Sequence, residues 1–193
     1  MKGEVVLDIE TKNTFQEVGG YFTDKLQVSV VVAYYYDTDT YESYLEKDLP
    51  QLFRKLEQAS RIIGFNSKGF DMPVLNNYYP GDLLQLPQLD MLEEVQRALG
   101  HRLKLDTIAE ATLGSSKSAH GLLAVQWWKE GKIQEIIDYC QQDVKVTKEV
   151  YEFGLERGYV LFDDRTGARQ QADINFRTDT QNIPSTINLT LGF

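Results

Sequence analysis

The sequence predicts an α/β domain, and three observations support this prediction. Short apolar and β-branched runs alternate with segments whose hydrophobic residues recur at helical spacing, a pattern typical of α/β proteins. At 193 residues the chain has room for one sizeable core. No internal repeat is visible in it. We therefore predict one domain, with residues 1–158 as its body and residues 159–193 as a C-terminal hairpin and tail that belong to it.

Four strands are predicted in the first part of the chain, and all are rich in apolar, β-branched or aromatic residues. They span residues 4–9, 26–36, 41–45 and 61–65, and the second and third form part of a meander. Between the third and fourth strands a helix is predicted over residues 49–59. Asp48 is its expected N-cap, and Pro50 lies in its first turn.

The second part of the chain is mainly helical in pattern. A helix is predicted to begin near Phe70, and a short strand over residues 86–89 ends at Asp90. Helical periodicity then covers residues 91–99, 104–112, 121–129 and 132–157, with a polar break at residues 114–118. Two runs, 159–162 and 170–174, flank the sequence Asp-Asp-Arg-Thr-Gly and predict a hairpin. The polar chain after Phe176 predicts a tail or a docking strand.

The composition is that of an ordinary globular protein, with 42% hydrophobic and 25% charged residues. No apolar run approaches the roughly 18 residues of a membrane span, so no membrane partner is expected. The start of the chain runs directly into a strand pattern, which argues against a signal peptide. Cys140 is the single cysteine, which excludes an internal disulfide and a cysteine-based zinc site. These features predict a cytoplasmic protein.

The first of three acidic motifs is Asp8-Ile9-Glu10, at the end of an apolar strand. Residues i and i+2 of a strand share a face, so Asp8 and Glu10 project together while Ile9 points to the other side. Two carboxylates side by side are costly there unless a cation lies between them. Mg²⁺ and Mn²⁺ prefer oxygen ligands, so the pair suits such an ion. Taken alone, the motif fits a strand that simply ends in solvated acids.

The second motif runs from Asn66 to Asp71, at a predicted strand-to-helix turn where functional residues of α/β sheets gather. Phe70 would give an apolar wall for a base or sugar. Lys68 is placed by the motif beside the site, as a candidate phosphate contact. Taken alone, the motif also fits an Asx turn at Asn66 followed by Asp71 as a helix-start acid.

The third motif pairs Tyr139 with Asp143, which share a helix face because they are four residues apart. Asp143 would ligate a metal, and the Tyr139 hydroxyl would orient a water that the metal activates. With a reference pKa of about 10, the phenol is a poor general base at neutral pH. This spacing is common and gains meaning only with the other motifs. Together the three supply four carboxylates and one phenol, the ligand set of a two-metal phosphodiester-cleaving site.

In these motifs the chain resembles the 3′–5′ exonucleases of the DEDD superfamily, which have a ribonuclease H-like fold. It is most similar to the tyrosine branch (DEDDy), seen in the proofreading domain of family B DNA polymerases and in small stand-alone relatives. The sister branch has a histidine where this chain has Asp138. Residues 121–128 resemble the predicted ribonuclease H-like nucleases of bacteria. The resemblance covers about residues 4–157 and implies a mixed central sheet flanked by helices.

The resemblance also implies a role for each motif residue. One divalent ion, Mg²⁺ or Mn²⁺, would be held by Asp8, Glu10 and Asp143, and a second by Asp8 and Asp71. The implied catalytic set is Asp8, Glu10, Asp71, Tyr139 and Asp143. The substrate would be a single-stranded DNA or RNA 3′ end, contacted by Ile9, Thr11, Asn66, Lys68 and Phe70. Nucleoside monophosphates would be the products.

Two other functions stay open from the sequence: a nucleic-acid-binding module without turnover, and an endonuclease of the same fold that cuts at flaps or junctions. The net charge of −9 argues against a broad basic surface. Two bound cations would neutralise the clustered acids, and local lysines and arginines would steer the substrate. The choice between DNA and RNA stays open. So does whether the chain works alone or beside a polymerase or helicase.

A few further residues are weighed as site candidates. Asp90 is more simply a helix N-cap than an outer ligand. Two histidines are too few for a histidine metal site. Of Trp127 and Trp128, at most one is expected to face a groove, because adjacent helix positions diverge by about 100°. Cys140 is expected to be buried or inert. The candidate substrate contacts, each with a solvated side chain as the simpler interpretation, are Arg102, Lys104, Lys117 and His120.

Overall fold

The computed structural model describes residues 1–114 and 122–177, apart from the side chain of Leu122. A five-stranded sheet forms its centre, with the strand order β3-β2-β1-β4-β5. The strands are β1 (Glu4–Thr11), β2 (Val28–Tyr35), β3 (Thr40–Leu45), β4 (Arg61–Gly64) and β5 (Gln88–Asp90). The first three form an antiparallel meander, whereas β4 pairs in parallel with β1, and β5 in parallel with β4. The predicted mixed sheet is confirmed.

Six α-helices of the described residues flank the sheet. They are α1 (Leu49–Leu56), α2 (Asp71–Leu75), α3 (Met91–Leu99), α4 (Leu105–Leu113), α5 (Leu122–Lys129) and α6 (Ile133–Arg157). Three short 3₁₀ helices lie in the connections, at Thr23–Lys25, Glu46–Asp48 and Leu83–Gln85. The predicted hairpin is present as strands β6 (Tyr159–Asp163) and β7 (Arg169–Asp173), which form a separate two-stranded sheet.

The two faces of the sheet pack against different helices. On one face, Val5, Leu7 and Ile9 of β1 enter a core shared with α1 and α2. On the other face, Val6 enters a core shared with α3 to α6 and the hairpin. Because strand side chains alternate, Asp8 and Glu10 emerge on the same face as Val6. Since α6 packs against β1 and β2 there, the end of β1 lies next to that helix.

Several element boundaries differ from the predictions by a few residues, and β2 and α1 are two examples. β2 begins at Val28 and not at residue 26, and Val28 is the residue that pairs with Thr11 at the end of β1. α1 ends at Leu56 and not at residue 59, because the amides of Gln58 and Ala59 bond to carbonyls three residues back and form turns. Sequence patterns rarely locate an element end to the residue, because the ends depend on such local hydrogen bonds.

The start of α1 also differs in detail. Asp48 occupies the N-cap position, but its side chain makes no cap hydrogen bond to α1. Asp48 Oδ2 accepts instead from the amide of Leu45, at 3.3 Å. The carboxylate therefore closes the preceding 3₁₀ turn, and Pro50 at the helix start lowers the need for a side-chain cap.

The C-terminal hairpin is tied to the body by polar contacts. Thr112 Oγ1 donates to the carbonyl of Leu161 at 3.1 Å and accepts from its amide at 3.0 Å. The buried guanidinium of Arg61 donates to the carbonyl of Phe176 at 2.8 Å and to Glu4 Oε1 at 2.7 Å. A buried ion pair between β1 and β4 thus also anchors the segment that follows β7.

Several predictions fall on segments outside the described residues. These are the polar break after Gly114, the tail after residue 177, Lys117 and His120. Within residues 1–114 and 122–177, no helix has both the length and the apolar character needed to cross a membrane.

Candidate active site

Asp8 and Glu10 lie near the carboxyl end of β1, a strand that is paired on both sides. β2 pairs with β1 along its length, and β4 pairs with its first half. Asp8 is half-buried and Glu10 is 8% exposed. The register shift that follows Glu10 interrupts the ladder at this point. The two carboxylates therefore project from a strand whose backbone is held by hydrogen bonds to its neighbours.

Asp143 reaches the same place from α6. One carboxylate oxygen from each of Asp8, Glu10 and Asp143 lies within 4.8 Å of the other two. Asp143 is buried, and so is Tyr139 one helical turn before it. The fold therefore brings together the first and third motifs, which are far apart in the sequence.

The chemistry of these donors suits a divalent cation. Three ionised carboxylates so close together repel each other, and their burial adds a desolvation cost. A hard cation between them relieves the repulsion and takes oxygen ligands. The residues present at this point therefore fit Mg²⁺ or Mn²⁺.

Cys140 lies beside the cluster and is buried, as expected. Its Sγ donates to the main-chain carbonyl of Asp8 at 3.3 Å and to Asp8 Oδ2 at 3.7 Å. Burial raises the pKa of the thiol well above its usual value, and the charges of Asp8 and Glu10 raise it further. Cys140 therefore stays a neutral thiol that supports Asp8 and is unsuited to act as a nucleophile.

A pocket of about 520 Å³ opens beside the cluster. Its lining includes Asp8, Glu10, Tyr139 and Asp143, together with the predicted substrate contacts Ile9, Thr11 and Phe70. The first part of the β1–β2 connection adds four residues that the sequence analysis did not single out: Asn13, Thr14, Phe15 and Gln16. The ring of Phe15 packs edge-on against Phe70, with the ring centroids 5.8 Å apart. Only the position of these four directly after the first motif could have indicated them.

Asp71 is the first residue of α2 and is only 3% exposed. It lies outside the group of three carboxylates. Its Oδ1 has no hydrogen-bond partner among the described residues. Burial raises the pKa of the Asp71 carboxyl, Asp90 adds to the rise, and backbone hydrogen bonds at Asp71 and Ile9 oppose it. A buried oxygen without a partner, next to the backbone of Ile9, fits the predicted role as a further cation ligand.

Asp90 holds the turn of the second motif in place. Asp90 Oδ1 accepts from the amides of Asn66 at 2.8 Å and Leu92 at 3.0 Å, and Oδ2 accepts from the amide of Lys68 at 3.0 Å. The predicted role as N-cap of α3 is confirmed. The two contacts to the turn were missed, because they join segments 22 and 24 residues apart.

Asn66 and Lys68 do not line the pocket that holds the carboxylates. Asn66 has a left-handed backbone with φ of 63°, and its Oδ1 accepts from Arg102 at 2.5 Å. Lys68 Nζ pairs with Glu93 at 2.6 Å. Both residues border a neighbouring depression of about 220 Å³. Their contact with a terminal nucleotide therefore stays a prediction, with less support than that of Ile9, Thr11 and Phe70.

The two tryptophans of α5 have different surroundings. Trp127 packs edge-on against Tyr139, with centroids 6.0 Å apart, and the ring of Trp128 lies 4.9 Å from Lys12 Nζ. Both are half-buried and neither lines the pocket, to which α5 contributes Val125. Trp127 therefore helps to fix the phenol ring.

Comparisons with known proteins agree with this architecture. The sequence model of the RNase_H_2 family, described as RNase_H superfamily, matches residues 5–153. No curated protein matches the chain. Among solved structures, the chain is similar to the family B DNA polymerase from the hyperthermophilic archaeon Pyrobaculum calidifontis, with a TM-score of 0.60 and 18% identity. That similarity covers 79% of this chain and 24% of the polymerase chain. At this level of identity it shows a shared fold and nothing more. The chain belongs to the RNase H superfamily.

Proposed function

We propose that the chain is a 3′–5′ exonuclease of the tyrosine branch (DEDDy), which hydrolyses single-stranded DNA or RNA ends and releases nucleoside monophosphates. One observation carries the proposal: Asp8, Glu10 and Asp143 converge within 4.8 Å beside an open pocket that Tyr139 also lines. Membership of the RNase H superfamily supports nuclease activity in general. The tyrosine one helical turn before Asp143 supports the finer assignment.

Four acids would hold the metal ions. Asp8, Glu10 and Asp143 suit one divalent ion, Mg²⁺ or Mn²⁺, and Asp71 suits a second that Asp8 would share. When bound, such ions supply Lewis-acid stabilisation of the charge that develops on a phosphodiester during hydrolysis. A buried carboxylate oxygen without a partner, as at Asp71, is costly until it gains one, which supports its place in this set.

The remaining motif residues would position the substrate and the attacking water. Tyr139 is held by the edge-on contact with Trp127, so its phenol has a defined place in the pocket. The phenol would orient the attacking water by a hydrogen bond, while the bound ions would supply the charge stabilisation. Phe70 would offer its ring to a base or sugar, while Ile9 and Thr11 would border the terminal nucleotide.

The setting of the enzyme is part of the proposal. A fold similar to this chain occupies 24% of a DNA polymerase chain, which supports a polymerase as a candidate partner. The single cysteine is buried beside Asp8 and needs no oxidising environment, which suits the cytoplasm.

Incubation with 5′-labelled single-stranded DNA and RNA, in Mg²⁺ or Mn²⁺ and in EDTA, tests the function. We expect a metal-dependent ladder that shortens from the 3′ end and yields mononucleotides. Asp143→Asn should slow cleavage by more than about 100-fold, because losing a ligand should exceed the roughly 10–100-fold cost of losing an outer partner. Asp138→Asn, an exposed change on the same helix, is the matched control and should cleave normally.

The products separate the alternatives. Internal fragments in place of mononucleotides would indicate an endonuclease, and binding without cleavage would indicate a non-catalytic module. Full activity of Asp143→Asn would show that the site is assigned wrongly.

A further inference from the structure

A second groove lies between the α3–α4 connection and the turn of the β6–β7 hairpin. It has a volume of about 550 Å³. Leu103 and Phe162 give it an apolar portion, and His101, Arg102 and Arg165 are its basic side chains. The three basic side chains are exposed. The groove thus combines an apolar surface with several positive or protonatable groups.

The two acids of this groove are engaged within the hairpin. Asp163 pairs with Arg169 at 2.5 Å. Asp164 Oδ1 accepts from the amide of Thr166 at 2.8 Å and from that of Ala168 at 3.1 Å. Hydrogen bonds lower the pKa of Asp164 to about 2, and the bond from the Thr166 hydroxyl has the largest effect. Both acids therefore stabilise the hairpin and its turn, and neither one forms an ion pair with Arg102 or Arg165.

Arg102 and Arg165 are not held in ion pairs. Some exposed basic side chains pair with acids, as Lys68 does with Glu93 and Arg97 with Glu94, whereas others, such as Lys47 and Arg54, have no acidic partner among the described residues. Within residues 1–114 and 122–177, neither Arg102 nor Arg165 has an acidic partner. Because Asp163 and Asp164 are engaged within the hairpin, the guanidinium groups of Arg102 and Arg165 keep N–H donors from which an anion at this groove can accept.

Neighbouring residues link the groove to the candidate active site through a small depression between them. Phe70 lines the carboxylate pocket, and Gly69 beside it lines the neighbouring depression together with Arg102. Arg102 also lines the groove, and its guanidinium donates to Asn66 Oδ1. Gly69 permits this packing, because a Cβ at that position would lie 2.7 Å from Asn66 Oδ1. Phe70 at the carboxylate pocket, Gly69 at the depression and Arg102 at both the depression and the groove therefore form a chain of neighbouring residues from the carboxylates towards the hairpin.

We propose that the groove marked by His101, Arg102 and Arg165 binds the sugar–phosphate backbone of the single strand, several nucleotides away from the 3′ end that lies in the carboxylate pocket. This inference rests on the proposed function. Arginine matches the geometry of phosphate oxygens, and the bond to Asn66 uses only one of the N–H donors of Arg102. Phosphate contacts carry no sequence information, so the groove sets the length of strand bound and its salt dependence.

Binding measurements in a chain that cannot cleave test this proposal. Fluorescence anisotropy of the full chain with Asp143→Asn would compare oligothymidylates of about 3 and about 12 nucleotides, lengths chosen around typical single-strand site sizes. Adding Arg102→Ala and Arg165→Ala should weaken binding of the longer oligonucleotide by about tenfold and leave the shorter one unchanged. The slope of log affinity against log salt should fall by roughly 0.7 for each phosphate that an arginine no longer neutralises.

The matched control removes two exposed basic side chains on the α1 side of the sheet. Lys47→Ala with Arg54→Ala changes the net charge equally, at positions outside the groove. We expect it to leave the length dependence unchanged. Thermal melting checks that each chain is folded, and Arg165→Ala alone, whose side chain is exposed, repeats the test should the double variant melt early.

The outcomes separate this inference from the proposed function. Three results would contradict the proposed role of the groove: an unchanged affinity for the longer oligonucleotide, an equal loss for both lengths, or no binding by the Asp143→Asn chain. Cleavage by the wild type together with any of these would leave the exonuclease standing. A length-specific loss together with no cleavage by the wild type would support the groove and contradict the exonuclease.

Discussion

A group of three acidic side chains and one separate aspartate lie near the carboxyl ends of the central strands, and their surroundings differ. Asp8, Glu10 and Asp143 converge on one another beside an open pocket. Asp90, in contrast, is 3% exposed and receives three backbone amides. The first group concentrates negative charge where a cation can reach it. The charge of Asp90 is instead stabilised by backbone amides. Carboxylates therefore form a site in one case and support a turn in the other.

Asp71 lies between these two extremes. It is as buried as Asp90, yet one of its oxygens has no hydrogen-bond partner among the described residues. Burial raises the pKa of both carboxyls, because the charged form loses hydration. Only Asp90 has three amide donors that oppose the rise. This difference assigns Asp90 to the support of the turn and leaves Asp71 as the candidate ligand.

The largest effect on stability is expected at Asp90. Asp90→Ala removes the acceptor of three backbone amides at once, and it should lower the free energy of unfolding by about 3 kcal/mol. Urea unfolding measures this change. The control is Asp82→Ala, which removes an exposed cap from the amide of Leu84 and should cost less than about 1 kcal/mol. Equal small losses would mean that the turn does not depend on Asp90.

A smaller effect is expected at Tyr139. Tyr139→Phe keeps the ring that packs against Trp127 and removes only the hydroxyl, so cleavage should slow by about tenfold. That is less than the roughly 100-fold or larger loss expected for a general base. Single-turnover cleavage of labelled single strands measures it, with Tyr159→Phe, which lies outside the pocket, as the control. Complete loss of cleavage would show that the phenol does more than orient water.

Much of this comparison could be predicted from local sequence. The alternation of Val5, Leu7 and Ile9 with Val6 and Asp8 sets the faces of β1, and the spacing of Tyr139 and Asp143 sets their shared helix face. Strand and helix periodicities are properties of short segments, so the order of the elements followed from them. The resemblance of the motifs then indicated that the end of β1 meets the part of α6 that carries Tyr139 and Asp143.

Other features depend on segments that meet only after folding. The bonds from the amides of Asn66 and Lys68 to Asp90 have no local signature, and neither has the contact between Asn66 and Arg102. Asn66 and Lys68 border the depression beside the carboxylate pocket, and their contact with a terminal nucleotide stays a prediction. Phe15 was missed because nothing in its residue type distinguishes a pocket wall from a core ring.

Calorimetric titration of Mn²⁺ into three forms of the protein tests the central claim most directly. Wild type and Asp90→Asn should bind the ion with similar affinity, because Asp90 is committed to backbone amides. Asp143→Asn should bind it at least about tenfold more weakly, because one of the three converging carboxylates has become a neutral amide. Equal binding by wild type and Asp143→Asn, or no binding by wild type, would contradict a metal site at Asp8, Glu10 and Asp143.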